Sequence, residues 1–187
     1  MPRAGLDPAT VVAAGAALAD EVGLDRLTMG LLAGRLGVRT PSLYKHVAGQ
    51  DDLNRRIAAL ALSEAADAVG SAVQGRAGRD ALAAAARAFR AFVLAHPGRY
   101  AATIGVEPTG PDDPMAAASR RLLEAFLAVL RGYRIAEADV DHALRMLRTL
   151  FHGFATLQAA DGFQWSADID ESFAWLIDFA DRGLRAG

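Results

Sequence analysis

The stretch that most constrains the fold runs from Leu27 to Leu53, LTMGLLAGRLGVRTPSLYKHVAGQDDL. Thr28 suits a helix N-cap, because its hydroxyl can accept from an amide two or three residues on. Leu31, Leu32 and Leu36 form an apolar stripe, and Gly37 stands where a helix closes on a left-handed residue. Val38 packs inward. Thr40 as cap and Pro41 at the first helical position restart a helix, which Leu43 and Val47, four apart, hold on the core. Arg39, Ser42, Tyr44, Lys45 and His46 are left facing outward. Two short helices about a tight turn, with a further helix opening at Asp51 and Asp52, make a helix-turn-helix. A short second helix supported from behind fits the major groove of double-stranded DNA. The outward residues carry the matching chemistry: Arg39 and Lys45 for phosphate or guanine, Thr40 and Ser42 for hydroxyl contacts, Tyr44 and His46 for phosphate oxygens.

The run Leu27-Thr28, Leu32-Ala33, Leu36-Gly37-Val38, Pro41-Ser42-Leu43-Tyr44, His46-Val47 and Leu53 resembles the DNA-binding domain of the tetracycline-repressor (TetR) family. The resemblance covers roughly residues 7 to 60. It implies that Thr28, Arg39, Thr40, Pro41, Ser42, Tyr44, Lys45, His46 and Gln50 are the DNA-facing residues. Two positions depart from the family's pattern. Gln50 stands where a phosphate-clamping Lys is usual, which removes a charge. Gly30 stands where relatives often carry Arg or Lys, and it cannot reach a base. A weaker echo, Phe151-His152-Gly153 with Gly162-Phe163, resembles the Trp-His-Gly signature of one regulator subgroup, with Phe in place of Trp.

The rest of the chain reads as helix throughout. Asp7 and Pro8 open a helix ended by Gly23, and Arg3 is the only basic residue before it, a candidate for a minor-groove contact. Gln74 to Gly78 breaks the chain and separates a domain over 7–67, with its helix-turn-helix at about 28–47, from a second over 76–187. Helices are expected over 79–95, 97–104, 113–131, 136–160 and 168–184, separated by the turn-rich GVEPTGPDD from Gly105 to Asp113. The expected fold is all-α, with about nine helices. An N-terminal three-helix helix-turn-helix domain precedes a larger helical domain for ligand binding and dimerisation. The last two helices, 137–160 and 168–184, carry more apolar surface than one small domain can bury, so they are expected to pack on their copies in a homodimer.

Composition removes the main alternatives. The 187 residues include no Cys, which excludes disulfides and zinc-thiolate sites. His46, His96, His142 and His152 show no metal-ligand spacing, and no phosphate loop, dinucleotide turn or nucleophile elbow occurs. Neither an enzyme nor a cofactor or metal is expected. No run nears 18 apolar residues, so no membrane span is expected, and the expected location is the cytoplasm. The net charge of −2 argues against general nucleic-acid affinity, but Arg35, Arg39 and Lys45 lie in a stretch without acids.

The sequence thus predicts a ligand-responsive transcriptional regulator, most often a repressor in the family it resembles. It would bind a pseudo-palindromic operator as a homodimer and be released by a small, mostly apolar effector of unknown identity. The polar or aromatic groups expected to touch that effector are His96, Tyr100, Phe126 and His152, and the helix over 51–73 would carry movement to the reader. Two other readings stay open at this point: a DNA-binding dimer without an effector, and a degenerate relative that acts as a protein-interaction module.

Overall fold

A computed structural model describes residues 6–186, which fold into nine α-helices with no strand among them. They are α1 (Pro8–Val22), α2 (Met29–Leu36), α3 (Thr40–Leu43), α4 (Gln50–Val73), α5 (Gly78–Ala95), α6 (Pro97–Ala101), α7 (Pro114–Leu130), α8 (Val140–Ala159) and α9 (Ile169–Ala186). Short 3-10 turns at Leu24–Arg26 and Glu137–Asp139 precede α2 and α8. The chain forms two compact units, Met1–Leu62 with His96–Ala118, and Ser63–Ala95 with Ser119–Gly187. The segment 96–118 therefore packs with the N-terminal helices, although it lies in the stretch that sequence order assigns to the second domain.

The first unit is built behind α2 and α3. Asp7 caps α1 by accepting from the Thr10 amide at 2.7 Å, and Pro8 takes the first helical position, where no amide donor is needed. One face of α1, with Val11, Ala16 and Ala19 fully buried, meets Leu32, Leu43, Val47, Leu53 and Ile57. Gly15 lets this packing close, since a Cβ there would sit 3.1 Å from Leu53 Cδ1 and 3.2 Å from Ile57 Cδ1. Ala102 and Met115 complete the same core from segment 96–118.

In the second unit, α5 packs on α8 and α9 through Leu82, Ala86, Phe89, Leu147, Phe151, Phe173 and Ile177. Phe89, Phe126, Phe151 and Phe173 form a chain of rings with centroids 6.1–6.3 Å apart. Arg90 lies with its guanidinium over Phe173 and Phe154, and donates to Gln158 Oε1 at 2.7 Å, so one cation ties α5 to α8 and α9.

One buried carboxylate in this unit is fully partnered. Asp181 accepts from Tyr133 Oη at 2.7 Å and from Arg185 Nε at 2.9 Å. Burial alone would raise its pKa, but these two donors outweigh burial and hold it below the ordinary value of 3.8. A carboxyl lowered in the folded state adds stability above its unfolded pKa and loses it as pH falls through the folded one. Tyr133→Phe is expected to cost roughly 1–2 kcal/mol at neutral pH. It should also flatten the loss of stability toward pH 3. Urea unfolding at the two pH values checks both, and an unchanged acid limb would deny Asp181 this role.

Candidate nucleic-acid interface

The helix-turn-helix is set by local caps. Thr28 Oγ1 accepts from the Leu31 amide at 3.2 Å and starts α2. Gly37 ends it at φ 66°, ψ 30°, a left-handed conformation that costs a glycine little, and the Val38 amide closes on Ala33 O at 3.0 Å. Met29, Leu32 and Ala33 face the core, whereas Leu31 points outward. An eight-residue helix buries only one stripe, and Leu31 stands about a quarter turn from Leu32. The second helix starts one residue earlier than its sequence suggests: Arg39 holds the cap position without a side-chain bond, and Thr40 is already helical. Regular helix ends at Leu43, and the turn is carried on by the His46 and Val47 amides, which both donate to Leu43 O at 2.8 and 3.1 Å.

Leu43 and Val47 are buried, and this footing presents the segment between and before them. Tyr44 is 54% exposed. Arg39, Pro41 and Lys45 are exposed, while Thr40, Ser42 and His46 are half-buried on the same segment. His46 lies beside the start of α1. The Thr10 amide and hydroxyl hold the Asp7 carboxyl below its usual value. Thr28 is exposed, and its hydroxyl hydrogen remains to donate while its oxygen caps α2.

Two findings change the electrostatics read from sequence. Arg35 forms a two-pronged ion pair with Glu21 of α1, so it is not part of an open cationic patch. Among the described residues, no carboxylate pairs with Arg39 or Lys45, which are left as the cations of this face. The Arg35–Glu21 partners are 14 residues apart in chain order, beyond the reach of any local pattern. Gln50 opens α4 and donates one N–H of its Nε2 to Asn54 Oδ1 at 2.9 Å, which leaves the other N–H to donate elsewhere. Asp52 accepts from the Ala48 amide at 2.8 Å and from Arg56 Nε at 2.9 Å, and so fixes the turn before α4. Arg3 lies outside the described residues.

The four residues singled out for an effector fall in different units. His96 and Tyr100 belong to the first, where His96 Nδ1 lies 3.3 Å from Asp20 and Tyr100 is buried. Phe126 and His152 belong to the second, Phe126 within the aromatic chain and His152 half-buried beside Phe151, where burial and then the charge of Arg148 lower its pKa. None of the four lines either of two open cavities. One, in the second unit, has a volume of about 430 Å3 and is bounded by Ile135, Ala136, Asp139, His142, Ala143, Met146, Gly183 and Leu184. The other, in the first unit, lies against Asp52, Arg55, Arg56 and the turn Thr109–Pro114. Among the described residues no cluster of His and carboxylates could hold a metal, and no helix is long and apolar enough to cross a membrane.

Residues 82–180 match the family model described as "Tetracyclin repressor-like, C-terminal domain". Over 176 residues the chain is 31% identical to the uncharacterized HTH-type transcriptional regulator YobS of Bacillus subtilis, covering 94% of this chain and 91% of that protein. A possible TetR family transcriptional regulator from Streptomyces coelicolor superposes with a TM-score of 0.75 at 25% identity, over 96% of this chain and 99% of that one. A TetR variant from Acinetobacter baumannii, solved in complex with minocycline, superposes with a TM-score of 0.74 at 27% identity, over 96% of both chains.

Proposed function

The chain belongs to the tetracycline-repressor family of DNA-binding transcriptional regulators, and from that premise we propose that it is a homodimeric, effector-responsive repressor. Each subunit places residues 40–46 in one major groove of a pseudo-palindromic operator, with half-sites separated by whole helical turns. The observation that carries this reading is the exposed segment of Arg39, Tyr44 and Lys45 on the buried footing of Leu43 and Val47. Tyr44 and Lys45 bind phosphate, Arg39 reaches phosphate or guanine, and Thr28, Thr40, Pro41, Ser42, His46 and the Gln50 end of α4 complete the contact. With Arg39 and Lys45 the open cations of residues 35–46, affinity rests partly on phosphate contacts and falls with salt.

The homodimer is supported by the outward face of α9, where Trp175 and Phe179 stack at 5.7 Å and are 64% and 50% exposed. Effector binding is assigned to the second unit. There the cavity of about 430 Å3 is lined by Ile135, Ala136, Ala143, Met146 and Leu184 together with Asp139 and His142, a size and character that suit a small, mostly apolar molecule with a polar group. Phe126 and His152, two of the four residues expected to touch the effector, belong to the same unit, whereas His96 and Tyr100 belong to the first. A neighbour that binds minocycline agrees with a small-molecule effector. Such a molecule releases DNA only through a difference in affinity for two conformers.

The test is selection of bound fragments from random DNA with purified protein, followed by titration of the recovered fragment. Tyr44→Ala with Lys45→Ala is expected to weaken binding by about tenfold or more and to reduce the salt slope by about one. Helix content should stay unchanged. Unaltered binding would remove these residues from the interface, and no enriched fragment after denaturing and refolding would remove the DNA reading itself.

A further inference from the structure

The first turn of α6 is capped by a residue from another helix. His96 holds its cap position but makes no capping side-chain bond. Asp20 of α1 supplies the acceptor instead, taking the Arg99 amide on Oδ1 at 2.8 Å and Arg99 Nε on Oδ2 at 2.8 Å, with His96 Nδ1 at 3.3 Å. Both members of the ion pair are mostly buried, at 14% and 13% exposure, so loss of either partner is costly. A second tether holds the same returning segment. Arg55 of α4 donates twice to Glu107 O at 3.2 Å and once to Asp113 at 2.6 Å. The two helices that flank α2 and α3, namely α1 before them and α4 after, are thus each tied to residues 96–118.

We infer that Asp20 is a positioning residue for the DNA-reading helices, and that residues 96–118 are a working part of the reader although they come from the middle of the chain. The inference rests on the DNA-binding reading above. Asp20 and Arg99 are on no recognition element, so they act on DNA affinity only by fixing the framework on which α2 and α3 stand. Loss of the pair should loosen the reader without changing how many phosphates it contacts.

The test uses the full chain with Asp20→Asn, Arg99→Gln and Arg99→Lys. Arg79→Gln, which breaks the Arg79–Asp178 ion pair in the second unit, is the control. Amide exchange of residues 29–47 is read first, and affinity for the selected DNA fragment second. Asp20→Asn and Arg99→Gln are expected to speed exchange and weaken binding by about tenfold each. The salt slope should stay that of the wild type, and Arg99→Lys should restore most of both effects. Exchange in Asp20→Asn no faster than in the control would overturn the inference. So would a shallower salt slope in Arg99→Gln, because Arg99 would then be a direct phosphate contact. Faster exchange in a protein whose wild type selects no DNA would uphold the clasp and defeat the DNA reading alone.

Discussion

Gly98→Ala is expected to destabilise the helix-turn-helix unit by about 3 kcal/mol or more, with DNA affinity lost in parallel. A Cβ at Gly98 would lie 1.9 Å from Ala19 O, 2.1 Å from Ala19 C and 2.6 Å from Asp20 N. All three are backbone atoms of α1, so no rotamer change can make room. The two helices must part by more than an ångström, and that movement also stretches the Asp20–Arg99 bonds. Gly98 lies within α6 and has no left-handed backbone, so by helix propensity alone alanine would gain about 1 kcal/mol. The two terms have opposite signs, and the steric term is larger. Gly70→Ala isolates the smaller one: Gly70 lies within α4, a Cβ there would meet nothing within 4 Å, and alanine should be neutral or stabilising. Thermal unfolding of both variants decides the matter. A Gly98→Ala protein as stable as Gly70→Ala would mean that α6 rests on α1 with slack.

That contrast shows which parts of the fold were legible in the sequence. The all-helical class and the helix-turn-helix were legible because their signals are local: a hydroxyl cap at Thr28, a left-handed Gly37, a Pro41 that suits the first turn of the next helix, and apolar residues at helical spacing. The long helices α8 and α9 fall close to the ranges their periodicity predicts, 140–159 and 169–186 against 137–160 and 168–184. What the sequence hides are contacts between residues far apart in the chain. His96-Pro97-Gly98 reads as a helix stop, and it is one, but nothing in those three residues says that the glycine admits α6 to the surface of α1. Nor does Glu21 announce that it neutralises Arg35. The outward positions of the two-helix motif were readable from its spacing, and the residues proposed to face DNA were chosen from them. Effector residues carry no such register, because apolar pocket walls look like any other core.

Phe179→Glu is expected to turn a dimer into a monomer at micromolar concentration and to abolish operator binding that needs two reading heads. Trp175 and Phe179 are one helical turn apart on α9, and their rings are nearly parallel at 14°. The buried stripe of the same helix, Phe173, Ile177, Ala180 and Leu184, already serves its own subunit, so this pair belongs to a second apolar face. In an isolated subunit the change costs little, since half of the Phe179 surface meets water already. In a dimer that buries it, the carboxylate would be stripped of water without a partner, which costs several kcal/mol and is counted twice across a two-fold axis. A loss of about 4 kcal/mol shifts a dissociation constant by roughly a thousandfold. Light scattering after size-exclusion chromatography reads the mass directly. Ile104→Glu is the matched control: Ile104 is 53% exposed in the first unit, and its loss should leave the mass and the dimer unchanged. If Phe179→Glu stays dimeric while Ile104→Glu falls apart, the subunits meet through the first unit, and two-fold pairing through α8 and α9 is wrong.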